Sequence, residues 1–346
     1  MYKRPVTLKD VAEESDYSLR TVKKVMSGDL TVRPETRENV LQTARKLGYK
    51  KNMVASVLAT NKLWNIAIVM GDYRYFFPEA KTGFQNCHKS WSGLKVEIEF
   101  LIPKDKSIGV AKSILQNILQ SEKYDAVIMH AISMEGLNRE INAIVESGRP
   151  VCTFGADAPR SKRLFYVGPK AYESGRIAAQ VMSNYIGGQG TVYMINQVVD
   201  EMQTLERGKG FTSYMKEKHP EIRIENILVK NGSGEYHEIV AKLMQSNTIR
   251  GIVGTDADCY IIGLEAYKAK RKDIVTLGFD LTPEIEQMML ADYFKIILSQ
   301  NPEQQASIVL DSFCKYLLYH SDIKNIYTDV TIVTSEVLRY KGNVRE

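Results

Sequence analysis

The spacing of apolar positions changes character twice along this chain. Between Val6 and Gly28, Leu8, Val11 and Ala12 recur at helical spacing, Asp16 and Tyr17 interrupt the period, and Val22, Val25 and Met26 resume it. An apolar residue every three or four positions gives a helix one stripe to bury. Ser18 stands where a second helix needs a side-chain oxygen for its first free N–H groups. Two short helices around a tight turn make a helix-turn-helix, with Ser18, Leu19, Arg20, Thr21, Lys23 and Lys24 on the outer side of its second helix. Lysine-bearing helix pairs also occur where no nucleic acid is bound, so periodicity alone leaves both readings open. Further on, Pro34 and Glu35 suit a helix start, Val40, Leu41, Ala44 and Leu47 form a third stripe, and Gly48 supplies a stop. The following stretch, 49–62, has only one or two apolar turns, and so short a helix needs a partner to form.

From Trp64 the pattern becomes one of blocks. Ile66 to Met70 is a continuous apolar run, as in a strand buried on both faces. Helices are predicted over 79–90, 110–121, 134–147, 174–186, 206–219, 236–245 and 260–268. They alternate with strands over 95–101, 126–130, 150–154, 190–195, 222–229, 251–255 and 274–279. Alternation at this spacing predicts an α/β body of doubly wound parallel sheets. The units are too many for one comfortable sheet, so two lobes are expected: one over about 64–165 and 294–326, the other over about 166–293 and 327–340. Residues 1–50 form the helical headpiece, 51–63 the hinge or linker, and 64–346 the body.

Composition matters where it is uneven. Residues 1–62 hold 13 Lys+Arg against 7 Asp+Glu, a net +6, while the remainder carries −1. A small basic unit on a near-neutral body points to a polyanion partner for that unit. Cys87, Cys152, Cys259 and Cys314 are far apart and the five histidines are scattered, which predicts free thiols in a reducing compartment, no metal and no cofactor. The start, MYKRPVTLKD, lacks an apolar leader segment and no run reaches membrane-spanning length, so a cytoplasmic chain without a membrane partner is expected.

Val6 to Leu58 resembles the DNA-binding headpiece of the LacI/GalR family of bacterial transcription regulators. The resemblance rests on Thr7-Leu8, Asp10-Val11-Ala12, Ser18, Thr21-Val22, Val25, Gly28, Val32, Thr36-Arg37, Leu47-Gly48-Tyr49, Asn52, Ala55 and Leu58. It implies double-stranded operator DNA, pseudo-palindromic and read by a homodimer, with Thr7, Ser18, Leu19, Arg20, Thr21, Lys23, Lys24, Thr36, Asn52, Ala55 and Leu58 as DNA-binding residues. Ser18 and Thr21 suit phosphate oxygens, Arg20 suits guanine and Leu19 a thymine methyl. The resemblance also implies a hinge helix over 52–59 that folds when paired and wedges Leu58 into the minor groove. Departures fall at Asp16-Tyr17, for a usual Gly-Val, at Lys23, for a usual serine, and at Lys24, for a common arginine.

The body resembles the type I periplasmic-binding-protein sensor of the same family, through Arg207-Gly-Lys-Gly210-Phe211, Leu277-Gly278-Phe279-Asp280 and Ser299-Gln300-Asn301-Pro302. Ligands of such folds bind between the lobes, at the carboxyl ends of the strands. The resemblance implies a sugar or sugar derivative held by Arg207, Asp258, Asp280 and Gln300. Tyr73, Phe76 and Phe77 are candidates for stacking, and Asp157 for accepting from a hydroxyl. Ala257 replaces an asparagine of the family, and Lys170 follows a strand where Asp or Asn is common, which makes an acidic or phosphorylated ligand an alternative. An enzyme is the first rival, but GxxxxGK[ST], GxGxxG at a strand–helix turn and G-x-S-x-G are all absent from the sequence. A transport receptor is the second, and the basic headpiece argues against it. A non-enzymatic, ligand-controlled repressor accounts for both halves: closure of the lobes shifts the dimer partners and changes hinge pairing on DNA.

Overall fold

The structure, a computed structural model, describes residues 6–26, 29, 31–49, 62–71, 76–105, 107–197, 201–230 and 233–343. The expected hinge helix, with Asn52, Ala55 and Leu58, lies outside the described residues, as does Tyr73. The chain divides into two compact units, Met1–Asn61 and Lys62–Glu346.

In the first unit, α1 (Leu8–Ser15), α2 (Leu19–Met26) and α3 (Pro34–Lys46) surround a core of Val11, Val22, Val25, Val40 and Ala44. Burying each valine contributes on the order of 1.5–3 kcal/mol, and partly buried side chains such as Leu8, Leu41 and Leu47 pack around them. Thr7 and Asp10 form a reciprocal capping box at the start of α1. Asp16 takes the turn in the left-handed region, at φ 59°, and Tyr17 packs against the valine core. The departure at these two positions therefore keeps the turn and adds to the core.

The second unit contains two six-stranded sheets. The first lobe orders its strands β11-β5-β4-β3-β1-β2 and the second β12-β10-β9-β8-β6-β7. The first lobe comprises β1 (Trp64–Val69), α4 (Phe76–Trp91), β2 (Val96–Leu101), α5 (Ile108–Gln120), β3 (Ala126–Met129), α6 (Asn138–Glu146), β4 (Val151–Phe154) and β5 (Tyr166–Pro169). The second comprises α7 (Ala171–Ile186), β6 (Gly190–Gln197), α8 (Met202–Lys218), β7 (Ile222–Val229), α9 (Ser233–Leu243), β8 (Ile249–Gly254), α10 (Tyr260–Lys268), β9 (Val275–Phe279), α11 (Pro283–Leu290) and β10 (Ile296–Ser299). The chain returns to the first lobe as α12 (Pro302–Tyr319) and β11 (Ile326–Thr328), and ends in the second as β12 (Thr331–Val333) and α13 (Ser335–Asn343). It thus passes between lobes three times, after β5, after β10 and between β11 and β12.

These passages correct the expected lobe limits by a few residues. Residues 166–169 stay in the first lobe because β5 pairs with β4, Thr153 opposite Tyr166. Residues 294–299 belong to the second because β10 pairs with β9, Ile296 opposite Leu277. The return strand reaches Thr328 before crossing, because Tyr327 and Thr328 pair with Gly168 and Pro169. Continuous strands such as Ala126–Met129 are buried on both faces between helices. In each lobe a helix pair approaches through glycine. A Cβ at Gly83 of α4 would lie 2.1 Å from the Glu303 carbonyl oxygen of α12, and one at Gly175 of α7 2.0 Å from that of Arg207 in α8.

Candidate functional site

The headpiece presents a polar edge built on α2. Ser18 caps the helix, its Oγ accepting from Thr21 N–H at 3.1 Å, and the two hydroxyls lie 2.9 Å apart. Val22 and Val25 turn into the core, which sends Arg20 and Lys23 to the exposed side and leaves Leu19 and Thr21 half-buried. Lys24 leans instead toward Asp29, at 3.7 Å, and toward the Thr31 hydroxyl, at 3.4 Å. Thr7 is exposed with its hydroxyl on Asp10, and Thr36 is half-buried in the first turn of α3. Arg37 donates from Nη2 to the Asp29 carbonyl at 2.6 Å, tying α3 to the turn after α2.

In the second unit, the second lobe gathers polar side chains at the carboxyl ends of its strands. Arg207 comes from α8, buried with its guanidinium 4.1 Å from the Phe279 ring centre, and Nη1 donates to the Thr255 carbonyl at 3.1 Å. Asp256 and Asp258 follow β8. Asp256 accepts from the backbone N–H groups of Asp258, at 2.9 Å, and Gln197, at 3.2 Å, while Asp258 accepts from the Gln197 side chain. Asp280 follows β9 in the left-handed region, at φ 65°, and accepts from Gln300 Nε2, at the end of β10, at 2.7 Å. Burial and the neighbouring Asp258 charge push the Asp256 carboxyl up to about 7, against the two backbone hydrogen bonds.

The first lobe offers a different surface. Phe76 packs 5.1 Å from His130, after β3, and 5.9 Å from Phe154 at the end of β4. Burial pushes the His130 imidazole down to about 4, so it is neutral at pH 7. Two residues expected at the ligand have partners of their own within this lobe. Phe77 packs edge-on to Phe100 of β2 beneath Lys81, within the lobe. Asp157 is engaged by a two-pronged ion pair with half-buried Arg163, by the Thr153 hydroxyl at 2.6 Å and by the Ala158 N–H at 2.8 Å. Arg163 also donates to Asn325 at 3.0 Å, so the carboxylate anchors its loop to the return segment. Lys170 is exposed, its ammonium 5.0 Å from the Tyr327 ring centre.

The structure thus brings Arg207, Asp258, Asp280 and Gln300 to the strand ends of one lobe and Phe76 to those of the other. His130, Asp256 and Gln203 were missed. The rule that ligands meet the carboxyl ends of strands was a signal for the first two; a glutamine early in a helix carried none. Among the described residues no group of three or more His, Cys, Asp or Glu is placed to hold a metal.

Both units match known families. Residues 66–319 match the periplasmic binding protein domain, and residues 7–52 match the lacI family of bacterial regulatory proteins. Two sheets of this order, joined by three passages, are the fold of the first, and the chain belongs to that family. Ahead of it, residues 7–52 carry a segment that matches the lacI family. Catabolite control protein A of Priestia megaterium is 38% identical over 82 residues, 23% of this chain and 25% of that protein. The protein of the same name from Staphylococcus epidermidis is 27% identical over 154 residues, 44% of each chain. The aligned parts thus span a quarter to under half of these relatives' length. A putative LacI transcriptional regulator from Bacteroides fragilis superposes with a TM-score of 0.72 at 17% identity, covering 81% of this chain and 99% of that one. A solute binding protein from Burkholderia graminis, in complex with D-arabinose, gives 0.72 at 19% identity, covering 79% and 96%. At such identities the likeness is one of fold.

Proposed function

We propose that this chain is a cytoplasmic, ligand-responsive repressor that binds a pseudo-palindromic DNA operator as a homodimer and is controlled by a sugar-like effector held between its lobes. The observation that carries the proposal is the fusion of a lacI-family headpiece at 7–52 to a periplasmic-binding-protein domain at 66–319. One α2 helix reads one half-site, which calls for a second copy. Effector binding closes the lobes and alters the pairing of the hinge segments, and operator DNA changes effector affinity by the same factor. Arg207 and the three acids Asp256, Asp258 and Asp280 offer donors and acceptors to hydroxyls, and Phe76 an apolar face. With Lys170 turned to Tyr327, these acids favour a neutral polyol over an anion. The test is a thermal-shift panel of neutral and phosphorylated monosaccharides, repeated as release from a duplex the protein selects from random sequence. A neutral sugar that stabilises the protein and changes its DNA affinity is expected; binding of phosphorylated sugars alone, or of none, overturns the reading.

A further inference from the structure

Gln203 lies one turn ahead of Arg207 on α8, a helix of the second lobe, yet its side chain reaches the first. Its Nε2 donates to the carbonyl oxygen of Gly155, after β4, and to the Tyr166 hydroxyl of β5 at 2.7 Å. That hydroxyl donates in turn to the Gly155 carbonyl at 2.9 Å. Gln203, Arg207 and Tyr166 are only 3%, 3% and 1% exposed. Away from water, each of these hydrogen bonds is costly to break without a replacement. On the same helix face, Gln203 Oε1 and Arg207 Nε and Nη2 are buried with no hydrogen-bond partner among the described residues. One acceptor and two donors are thus sealed behind a bond that spans the lobes.

We infer that Gln203 is a cross-lobe latch. Its amide N–H groups hold the lobes together over Arg207, and a ligand reaches Arg207 only when that bond gives way. Release uncovers the Gln203 carbonyl and the Arg207 donors together. That pair accepts one hydrogen bond and donates others, which fits a hydroxyl. Gln203 is in this sense a positioning residue: the latch sets the fraction of chains open to the ligand, and apparent affinity scales with that fraction. The functional consequence rests on reading the cleft as the effector site; the latch itself does not.

The test needs no effector. Phenylglyoxal modifies exposed arginines, and peptide mass spectrometry of the full-length chain reads Arg207 and Arg149 separately. Arg149 is the control, because it holds the carbonyls of Ile118, Leu119 and Ser121 inside the first lobe. Gln203→Met keeps the length and apolar packing of the side chain but removes its N–H groups. It is expected to speed Arg207 modification by about tenfold, the effect of losing such hydrogen bonds, while Arg149 keeps its wild-type rate. Tyr166→Phe removes one of the two partners and should speed it less. An unchanged Arg207 rate in both variants overturns the latch, as does equal acceleration at Arg149, which would mean general loosening. If Gln203→Met fails to fold, Tyr166→Phe decides alone, and an unmoved Arg207 rate there overturns the proposal. A wild-type chain that ignores every sugar would remove the sugar reading and leave this result standing.

Discussion

The two lobes are the same fold with different chemistry at matching places. β1, β2, β3, β4 and β5 of the first correspond in sheet position to β6, β7, β8, β9 and β10 of the second. β3 is followed by neutral His130, and β8 by Thr255 and then Asp256. Directly after β4 stands Gly155, with Asp157 and its Arg163 partner further on, whereas directly after β9 stands Asp280, which accepts from the Gln300 amide. Where β5 runs into exposed Lys170, β10 runs into buried Gln300. Topology decides which positions face the cleft and says nothing about the groups placed there. One lobe places His130 and Phe76 near its strand ends, and the other Asp256, Asp280 and Gln300.

The comparison can be broken most forcefully at Arg163. If Asp157 is an anchor rather than a ligand contact, Arg163→Met leaves a buried carboxylate unpaired and should cost about 3–5 kcal/mol in chemical denaturation. A loss confined to ligand affinity would return Asp157 to the cleft. Next in size are the paired glycines. Gly83→Ala and Gly175→Ala each drive a Cβ into a facing backbone carbonyl, so each should cost about 1–3 kcal/mol. Similar losses would show that the two helix pairs are built alike, whereas a large loss at one site only would break the equivalence.

The pH dependence carries its information in its sign. Asp256 has its carboxyl raised to about 7, so the fold binds a proton that the unfolded chain has released. Stability from this group falls as pH rises from about 4 to 7. His130 has its imidazole lowered to about 4, so the unfolded chain is the one that binds the proton, and stability falls as pH drops from about 6.5 to 4. Melting temperatures from pH 4.5 to 7.5 should show wild type losing ground to Asp256→Asn on going up and to His130→Gln on going down. Parallel slopes for the two variants would refute the electrostatic contrast between the lobes.

Much of the fold was legible in the sequence, because apolar periodicity is a local property. The strand at 222–229 and the helix at 260–268 coincide with β7 and α10. Lobe membership was less legible: the apolar run from Ile296 to Leu298 looks like any buried strand, and only its pairing with β9 assigns it to the second sheet. The cleft divided along the same line. Asp280 and Gln300 stand in motifs that name strand ends, and Arg207 in a helical motif. Asp157 and Phe77 stand equally near strand ends, but Arg163 and Phe100 claim them, and such partners are visible only in three dimensions. Gln203 reads as a surface helix residue until its contacts with Gly155 and Tyr166 are seen.

The three passages between the lobes have a mechanical consequence. They leave from β5, β10 and β11, which gather at neighbouring edges of the two sheets. Two bodies joined by one thread can tilt, twist and slide. Three short tethers side by side stiffen the joint against every motion but rotation about the line that runs through them. If the lobes close on an effector as proposed, the cleft works as a clam shell with one soft degree of freedom. On that reading a ligand of any shape would be translated into a single coordinate, an opening angle, and that angle would be all the lobes can report to whatever reads them.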